Sequence, residues 1–266
     1  LNVVKPVLEP MSDREISQIL DLYPQAGDLQ KRIRDGGRPY SAATVFTTST
    51  GEFFLKKRTN QWRSAEDVLW RHRVIRHLRR NEFPTPDILE NVSGSTLSQV
   101  NGFYYELFQR APGKDMYKDY HSWMAFEKAA HAYQAGLMLA RFHKALTTFD
   151  TKGRERPGDP PLKPMLARFD LALGEDLEAS LRHRIEVSPT LTRFFKHRDW
   201  RQQILPLYLQ YQKQITQQKD ILAPWVTHGD WHANNLFFRD DRIVSVIDFH
   251  LTDVSFRLYD LAVALD

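Results

Sequence analysis

The sequence predicts an α+β chain in two lobes: an N-terminal lobe on an antiparallel β-sheet with one main helix, and a larger, mostly helical C-terminal lobe. Three observations carry this. Up to Gly113 the apolar pattern reads strand, strand, helix, strand, strand. After Gly113 the spacing becomes helical, with Ala135, Leu139 and Phe142 on one face. Near the end the chain returns to short β-rich runs. A length of 266 residues suits one large domain or two lobes sharing a cleft.

Each element has its own reason. Thr44–Thr48 and Glu52–Lys57 are β-rich runs joined by a turn at Ser49-Thr50-Gly51. Ser64-Ala-Glu-Asp67 is a capping box ahead of a helix whose apolar positions include Val68, Leu69, Ile75 and Leu78. Pro84 and Pro86 end that helix and leave Asp87-Ile-Leu extended. Asn101-Gly102 turns the chain into the strand Phe103–Phe108, which stops at Ala111-Pro112-Gly113. A long helix follows over Glu127–Leu146, and Asp150–Pro164 is a polar connection rich in Pro and Gly. Two further helices are expected, over Met165–Arg184 and Thr192–Lys219. Short strands then fall around Trp225–Thr227, Leu236–Phe238 and Ile243–Ile247, the last two closed into a hairpin by Arg239-Asp-Asp-Arg242.

Composition removes several classes of function. With 42% hydrophobic and 26% charged residues the chain is an ordinary globular one, not a disordered one. The absence of cysteine excludes disulfides, thiolate metal sites and a cysteine nucleophile, and fits a cytoplasmic setting. No apolar run reaches the roughly 18 residues of a membrane span, and the first ten residues lack a signal peptide's apolar core. They also lack an initiator Met, so the start is expected to be trimmed. A net charge of +4 does not make nucleic acid the default partner. Oligomeric state is not legible.

The sharpest signal is His228-Gly-Asp-Trp-His-Ala-Asn-Asn235. Asp230 and Asn235, five apart, repeat the spacing of the kinase catalytic loop, where the Asp takes the proton of the acceptor hydroxyl and the Asn holds magnesium. Thirteen residues on, across the hairpin, Asp248 stands in Ile-Asp-Phe, and the reversal of the hairpin is expected to bring it beside Asn235. Two hard oxygen ligands are the sparse protein ligation that magnesium prefers. Tyr259-Asp-Leu-Ala262 completes the series.

This run resembles the aminoglycoside phosphotransferase-like family, the small-molecule branch of the protein-kinase-like fold, which includes aminoglycoside, homoserine and choline-type kinases. The resemblance extends from about Pro39 to the end. It implies Asp230 as catalytic aspartate, Asn235 and Asp248 as magnesium ligands, and His228 with Tyr259-Asp260 as supports of the loop. In Phe53-Phe-Leu-Lys56 it implies the lysine that reaches the α- and β-phosphates of ATP; alternation sends Lys57 to the opposite face. The same template divides the chain into a nucleotide-binding lobe (1–108), a hinge (109–113) and a catalytic, acceptor-binding lobe (114–266) with a helical insert (151–224). At the hinge the Gln109 carbonyl and the Ala111 N–H align with adenine-binding backbone groups, with Phe108 at the back of the pocket.

The departures matter as much. The lysine's usual partner, a helix glutamate seven residues before Leu78, is here Arg71; Glu66 or Asp67 is an alternative carboxylate, or a plain helix cap. The phosphate-covering turn has no Gly-x-Gly-x-x-Gly; Gly36–Ala43 is the candidate, with Ser41 as phosphate donor. His250 and Asp253 read as loop residues, and His232 as architectural. Relatives continue past the Tyr-Asp-Leu-Ala segment, so a C-terminal segment is absent or the acceptor pocket is built differently.

Residues 151–224 hold 13 Lys and Arg against nine Asp and Glu, an excess equal to that of the whole chain. Polycationic aminoglycosides call for the opposite sign. The expected reaction is therefore ATP- and Mg-dependent transfer to a hydroxyl of a sugar, an amino acid or a related metabolite. A protein Ser/Thr kinase and a nucleotide-binding pseudokinase remain as alternatives; Tyr259 follows Phe249 by only ten residues, short for an activation segment.

Overall fold

Alternation builds the first lobe. In the computed structural model, which describes residues 8–38, 41–60, 63–121, 124–151, 176–217 and 224–265, every second residue of β2 (Ser41–Thr48) is buried. β3 (Glu52–Thr59) pairs antiparallel with it, after a turn closed by the Thr48 N–H donating to the Gly51 carbonyl at 2.8 Å. With β1 (Leu29–Arg38), β4 (Ser98–Val100) and β5 (Phe103–Gln109) these strands form a five-stranded sheet in the order β1-β2-β3-β5-β4. One face packs under α1 (Asp13–Leu20), whose Ile16, Ile19 and Leu20 meet Phe46, Phe53, Leu55 and Leu107. Asp87-Ile-Leu runs extended beside β5, with Ile88 bridged to Phe108.

Three features differ from the sequence reading. α1 and β1 were not anticipated. Gly36 and Gly37 lie within β1, paired with Ala43 and Ala42, so the candidate segment Gly36–Ala43 is the end of the β1–β2 hairpin. β1 is an edge strand, largely exposed and rich in charge, which suits an edge but hides its strand character from hydrophobic patterning.

α2 (Ala65–Arg80) joins the lobes. Ser64 caps it by accepting from the Asp67 N–H at 3.1 Å. Its Trp70, Val74, Ile75 and Leu78 enter a core shared with Leu139 and Phe142 of α3 (Ala129–Ala145) and with Trp231, Leu236, Phe238 and Phe249. Beyond it, α4 (Leu177–Val187), α5 (Pro189–Phe195), α6 (Trp200–Gln203) and α7 (Leu205–Gln217) form a small helical unit. The single helix expected over Thr192–Lys219 is broken into three. Asp199 caps a new start by accepting from the Arg201 N–H, and Pro206 falls in the first turn of α7, where its missing donor costs nothing. Trp200 and Tyr208, partly buried, pack on Leu177 and Leu181. Much of the helix expected over Met165–Arg184 lies outside the described residues.

The chain then forms β6 (Pro224–Thr227), the hairpin β7 (Leu236–Arg239) and β8 (Arg242–Val246), β9 (Asp253–Phe256) paired with β6, and α8 (Arg257–Leu265). Among the described residues no helix is long and apolar enough to cross a membrane.

Candidate active site

The loop after β6 is held by one buried carboxylate. Asp260, fully buried on α8, accepts from the Gly229 N–H at 2.9 Å and the His228 N–H at 3.0 Å, and pairs with His143 Nε2 at 2.8 Å. Burial lowers the His228 imidazole below its ordinary value, against the pull of Asp260 and Asp230, so the ring is neutral at pH 7. Its two nitrogens then have separate duties: Nε2–H donates to the Ile247 carbonyl at 3.1 Å and Nδ1 accepts from the Asp230 N–H at 3.3 Å. Gly229 has φ +80°, and a Cβ there would lie 2.5 Å from the Leu251 carbonyl oxygen. Only glycine fits both demands.

The loop ends in a 3₁₀ turn at Ala233–Asn235 that feeds directly into β7. Across the hairpin the Ile247 N–H donates to the Asn235 carbonyl at 3.0 Å, and this brings Asp248 alongside Asn235. Asn235 Nδ2 donates to the Asp230 carbonyl at 2.9 Å and to Asp230 Oδ2 at 3.0 Å. His232 Nε2 lies 3.4 Å from Asp230 Oδ1. Asp248 has left-handed backbone angles, φ 64° and ψ 64°, a costly conformation outside glycine that turns its side chain out of the hairpin.

Asp248 Oδ1 meets Lys56 Nζ at 2.8 Å and His250 Nδ1 at 2.9 Å. His250 is thus a partner of Asp248, not a solvated loop residue. Ligand atoms of Asp230, Asp248 and His250 all lie within 4.8 Å of one another. Burial opposes ionisation of both carboxyls but is outweighed: His250 and Lys56 hold Asp248 well below the usual carboxylate range, and His232 with His250 lowers Asp230. Two ionised carboxylates beside an amide fit a hard divalent cation such as magnesium, held by few protein ligands. Asp253 is not a loop residue but the buried first residue of β9, its Oδ1 accepting from the Val254 N–H at 2.9 Å.

Lys56 reaches this cluster because of strand alternation. Lys57 points to the other face, where its Nζ pairs with Glu15 at 2.7 Å and lies over the Phe103 ring. A cavity of about 600 Å³ opens between the lobes, and Lys56, Phe108, Gln109, Ala111, Asp248 and His250 are among its walls. That volume lies in the range of small-molecule sites. Asp230 and Asn235 join it through Asp248. Ser41 stands at the start of β2, opposite Arg38 and Arg58, and does not line the cavity. Just after β5 the Arg110 N–H donates to the Glu52 carbonyl at 3.0 Å, while Lys114 and Phe238 exchange two backbone hydrogen bonds of 2.8 and 2.9 Å.

The sequence pattern of the phosphotransferase enzyme family matches residues 32–266. The chain belongs to that family. It is 25% identical over 263 residues to homoserine kinase of Zymomonas mobilis, covering 97% of this chain and 71% of that protein. It is 23% identical over 232 residues to homoserine kinase of Granulibacter bethesdensis, covering 84% of this chain but 60% of the relative. The chain thus spans about three fifths to seven tenths of these relatives. Among solved structures, an aminoglycoside phosphotransferase from Alicyclobacillus acidocaldarius superposes with a TM-score of 0.61 at 17% identity, covering 97% of this chain and 71% of that one. An amicoumacin kinase in complex with AMP-PNP and Ca2+ gives 0.60 at 14% identity, covering 92% and 67%. The bilobal α+β kinase-like fold is therefore that of this phosphotransferase.

Within that fold the sequence missed one residue of the cleft. Glu106, on β5, is buried and faces Lys56 in the ladder, while Arg71, already read as a departure, donates to the Thr252 carbonyl at 3.0 Å. Glu66 is exposed in the first turn of α2 and Asp67 uses its backbone carbonyl for Arg71 NH1 at 2.8 Å, as helix-start residues do. A signal for Glu106 did exist, since a lone carboxylate in the aromatic run Phe-Tyr-Tyr-Glu-Leu-Phe demands buried partners.

Proposed function

We propose that this protein transfers the γ-phosphoryl group of ATP to a hydroxyl of a small metabolite, amino-acid-like or sugar-like, in preference to a polycationic aminoglycoside. The observation that carries the reading is the 2.8 Å contact between Lys56 of the sheet and Asp248 of the hairpin across the cleft, with Asp230 in the same cluster. Asp230 orients the acceptor hydroxyl and takes its proton; His232 and His250 keep it ionised for that task. Asn235 and Asp248 would hold magnesium, which when bound neutralises the charge developing on the phosphate oxygens. Lys56 fixes the α- and β-phosphates, and the Gln109 carbonyl with the Ala111 N–H takes the adenine edge. Residues 1–108 then form the nucleotide lobe, 109–113 the hinge and 114–266 the catalytic lobe, with 151–224 contributing to the acceptor pocket.

A small acceptor is supported on two grounds. The stretch from Phe249 to Tyr259 is taken up by a 3₁₀ turn, β9 and the start of α8, which leaves no room for a long activation segment. The curated relatives are named homoserine kinase, and homoserine presents an amino-acid hydroxyl. Exposed Arg182, Arg193 and Arg198 in the insert favour a neutral or anionic compound over a cationic one. The test is magnesium-dependent ATP consumption across a panel of hydroxyl amino acids, sugars and aminoglycosides, with D230N as control. One amino acid or sugar should stimulate turnover, and the variant should lose it by orders of magnitude. Stimulation by aminoglycosides alone would reject the substrate class, and turnover unchanged in D230N would reject the role of Asp230.

A further inference from the structure

Helix α2 brings a cation where a carboxylate was expected, and the sheet supplies the carboxylate instead. Lys56 and Glu106 face each other in the β3–β5 ladder, and directly opposed residues of an antiparallel pair share a face with their Cβ atoms about 5 Å apart. Glu106 is 4% exposed. Its Oε2 lies 2.9 Å from His72 Nε2, and His72 Nδ1 is held by Thr96 Oγ1 at 2.8 Å. Its Oε1 lies 2.7 Å from Arg58 Nε, a close ion pair whose N–H is not aligned on the oxygen. Lys56, Arg58, His72 and Glu106 all line the cleft. Burial by itself would raise the Glu106 carboxyl; Arg58, His72 and Lys56 overcome this and hold it at about 2. Arg71, meanwhile, faces away from this role, donating to Thr252 O at 3.0 Å and lying 3.9 Å from Asp253.

We infer that Glu106 is the positioning residue for Lys56, supplying from strand β5 the counter-charge that a helix glutamate would supply, while Arg71 ties α2 to the segment after Asp248. The inference deepens the phosphotransfer reading and rests on it. Its consequence is that α2 bears on Lys56 only through Glu106, whose Oε2 is held by His72 of that helix.

A double-mutant cycle on E106Q and K56A, read by calorimetric binding of Mg·AMP-PNP and by steady-state kcat and KM for ATP, tests it. E106Q alone should weaken nucleotide binding or slow turnover about tenfold, the loss of the buried negative charge that faces Lys56 across the ladder. In the K56A background the same change should have less than about a twofold effect, because the residue acts through Lys56. E106D, which keeps the charge, should recover part of the loss. Effects that multiply across the cycle, or wild-type binding and turnover in E106Q, overturn the inference. Should E106Q fail to fold, as judged by its melting transition, the same cycle run with E106D decides the matter. Failure of the wild-type protein to bind Mg·AMP-PNP at all would instead bring down the phosphotransfer reading, so the two failures are distinguishable.

Discussion

Replacing Asp260 by Asn removes one charge and no volume, and the structure allows its cost to be worked through. Oδ1 receives the Gly229 N–H; Oδ2 receives the His228 N–H and His143 Nε2. An amide has one acceptor oxygen, so its NH₂ must face at least one of these two backbone donors. If the oxygen sits at the Oδ2 position, the Gly229 N–H is stranded; if it sits at Oδ1, the His228 N–H is stranded, even if His143 changes tautomer. Either way one charge-assisted hydrogen bond is lost, at about 1.5–3 kcal/mol, and a buried donor is left unpaired, at about 1–3 kcal/mol. Together these span about 2.5–6 kcal/mol, centred on the ~3–5 kcal/mol that breaking a buried charged network costs. With a urea dependence of about 2–3 kcal/mol/M this moves the unfolding midpoint down by more than about 1 M. The same loop carries Asp230, so ATP turnover should fall at least about tenfold even where the protein is folded. The assay is urea unfolding followed by tryptophan fluorescence, paired with turnover at low denaturant. A midpoint within about 0.2 M of wild type, with turnover intact, would refute the view that Asp260 holds the loop.

Other outcomes follow from the same geometry. G229A should be destabilised by more than about 2 kcal/mol and lose turnover, because it combines a positive φ with a Cβ 2.5 Å from a carbonyl oxygen; a thermal melt and an ATPase assay check both. K56M should abolish turnover, whereas K57M, which breaks the pair with Glu15 and the contact with the Phe103 ring on the far face, should keep it and cost about 1 kcal/mol. Glu106 titrates at about 2 in the folded chain against an ordinary 4.5, so the unfolded chain binds the extra proton between those values. Stability from this group is thus complete above about pH 4.5 and is lost as pH falls towards 2, about 3 kcal/mol in all, and E106Q should flatten that part of the urea-midpoint profile against pH. An unchanged slope in E106Q would show that other carboxylates carry the acid sensitivity.

Local signals were legible and tertiary ones were not. β2, β3, β5, α2 and α3 were readable because each carries its own periodicity or cap, and the β7–β8 hairpin because Asp240-Asp241 marks a tight turn, with both residues at positive φ. β1 was missed because its residues are polar and its two glycines resemble a loop; it is a strand by virtue of pairing with β2. β9 is four residues long and exists only against β6. At the site, the spacing of Asp230, Asn235 and Asp248 was visible in the chain. The Lys56–Asp248 contact links residues 192 positions apart and is set by packing of the lobes. Arg71 was visible as a departure, but the compensation at Glu106 lies on another strand and is revealed only by the register of β3 with β5.

The connection between the lobes determines how they are able to move. Arg110 is bonded to Glu52 and so travels with the sheet, while Lys114 is bonded on both sides to Phe238 and so travels with the hairpin bearing Asp248. Only Ala111, Pro112 and Gly113 lie between these two anchors. Pro112 has little torsional freedom, and Gly113, at φ +95°, sits so close to Val244 and the Phe238 carbonyl that no side chain would fit. The segment free of both anchors is therefore three residues long, and its Ala111 and Gly113 line the cleft. A rocking motion about such a short axle leaves the hinge edge almost stationary and concentrates the travel at the far side. The lysine-to-aspartate separation becomes the natural opening coordinate of the molecule, and one pair of spectroscopic labels flanking it would read the whole excursion.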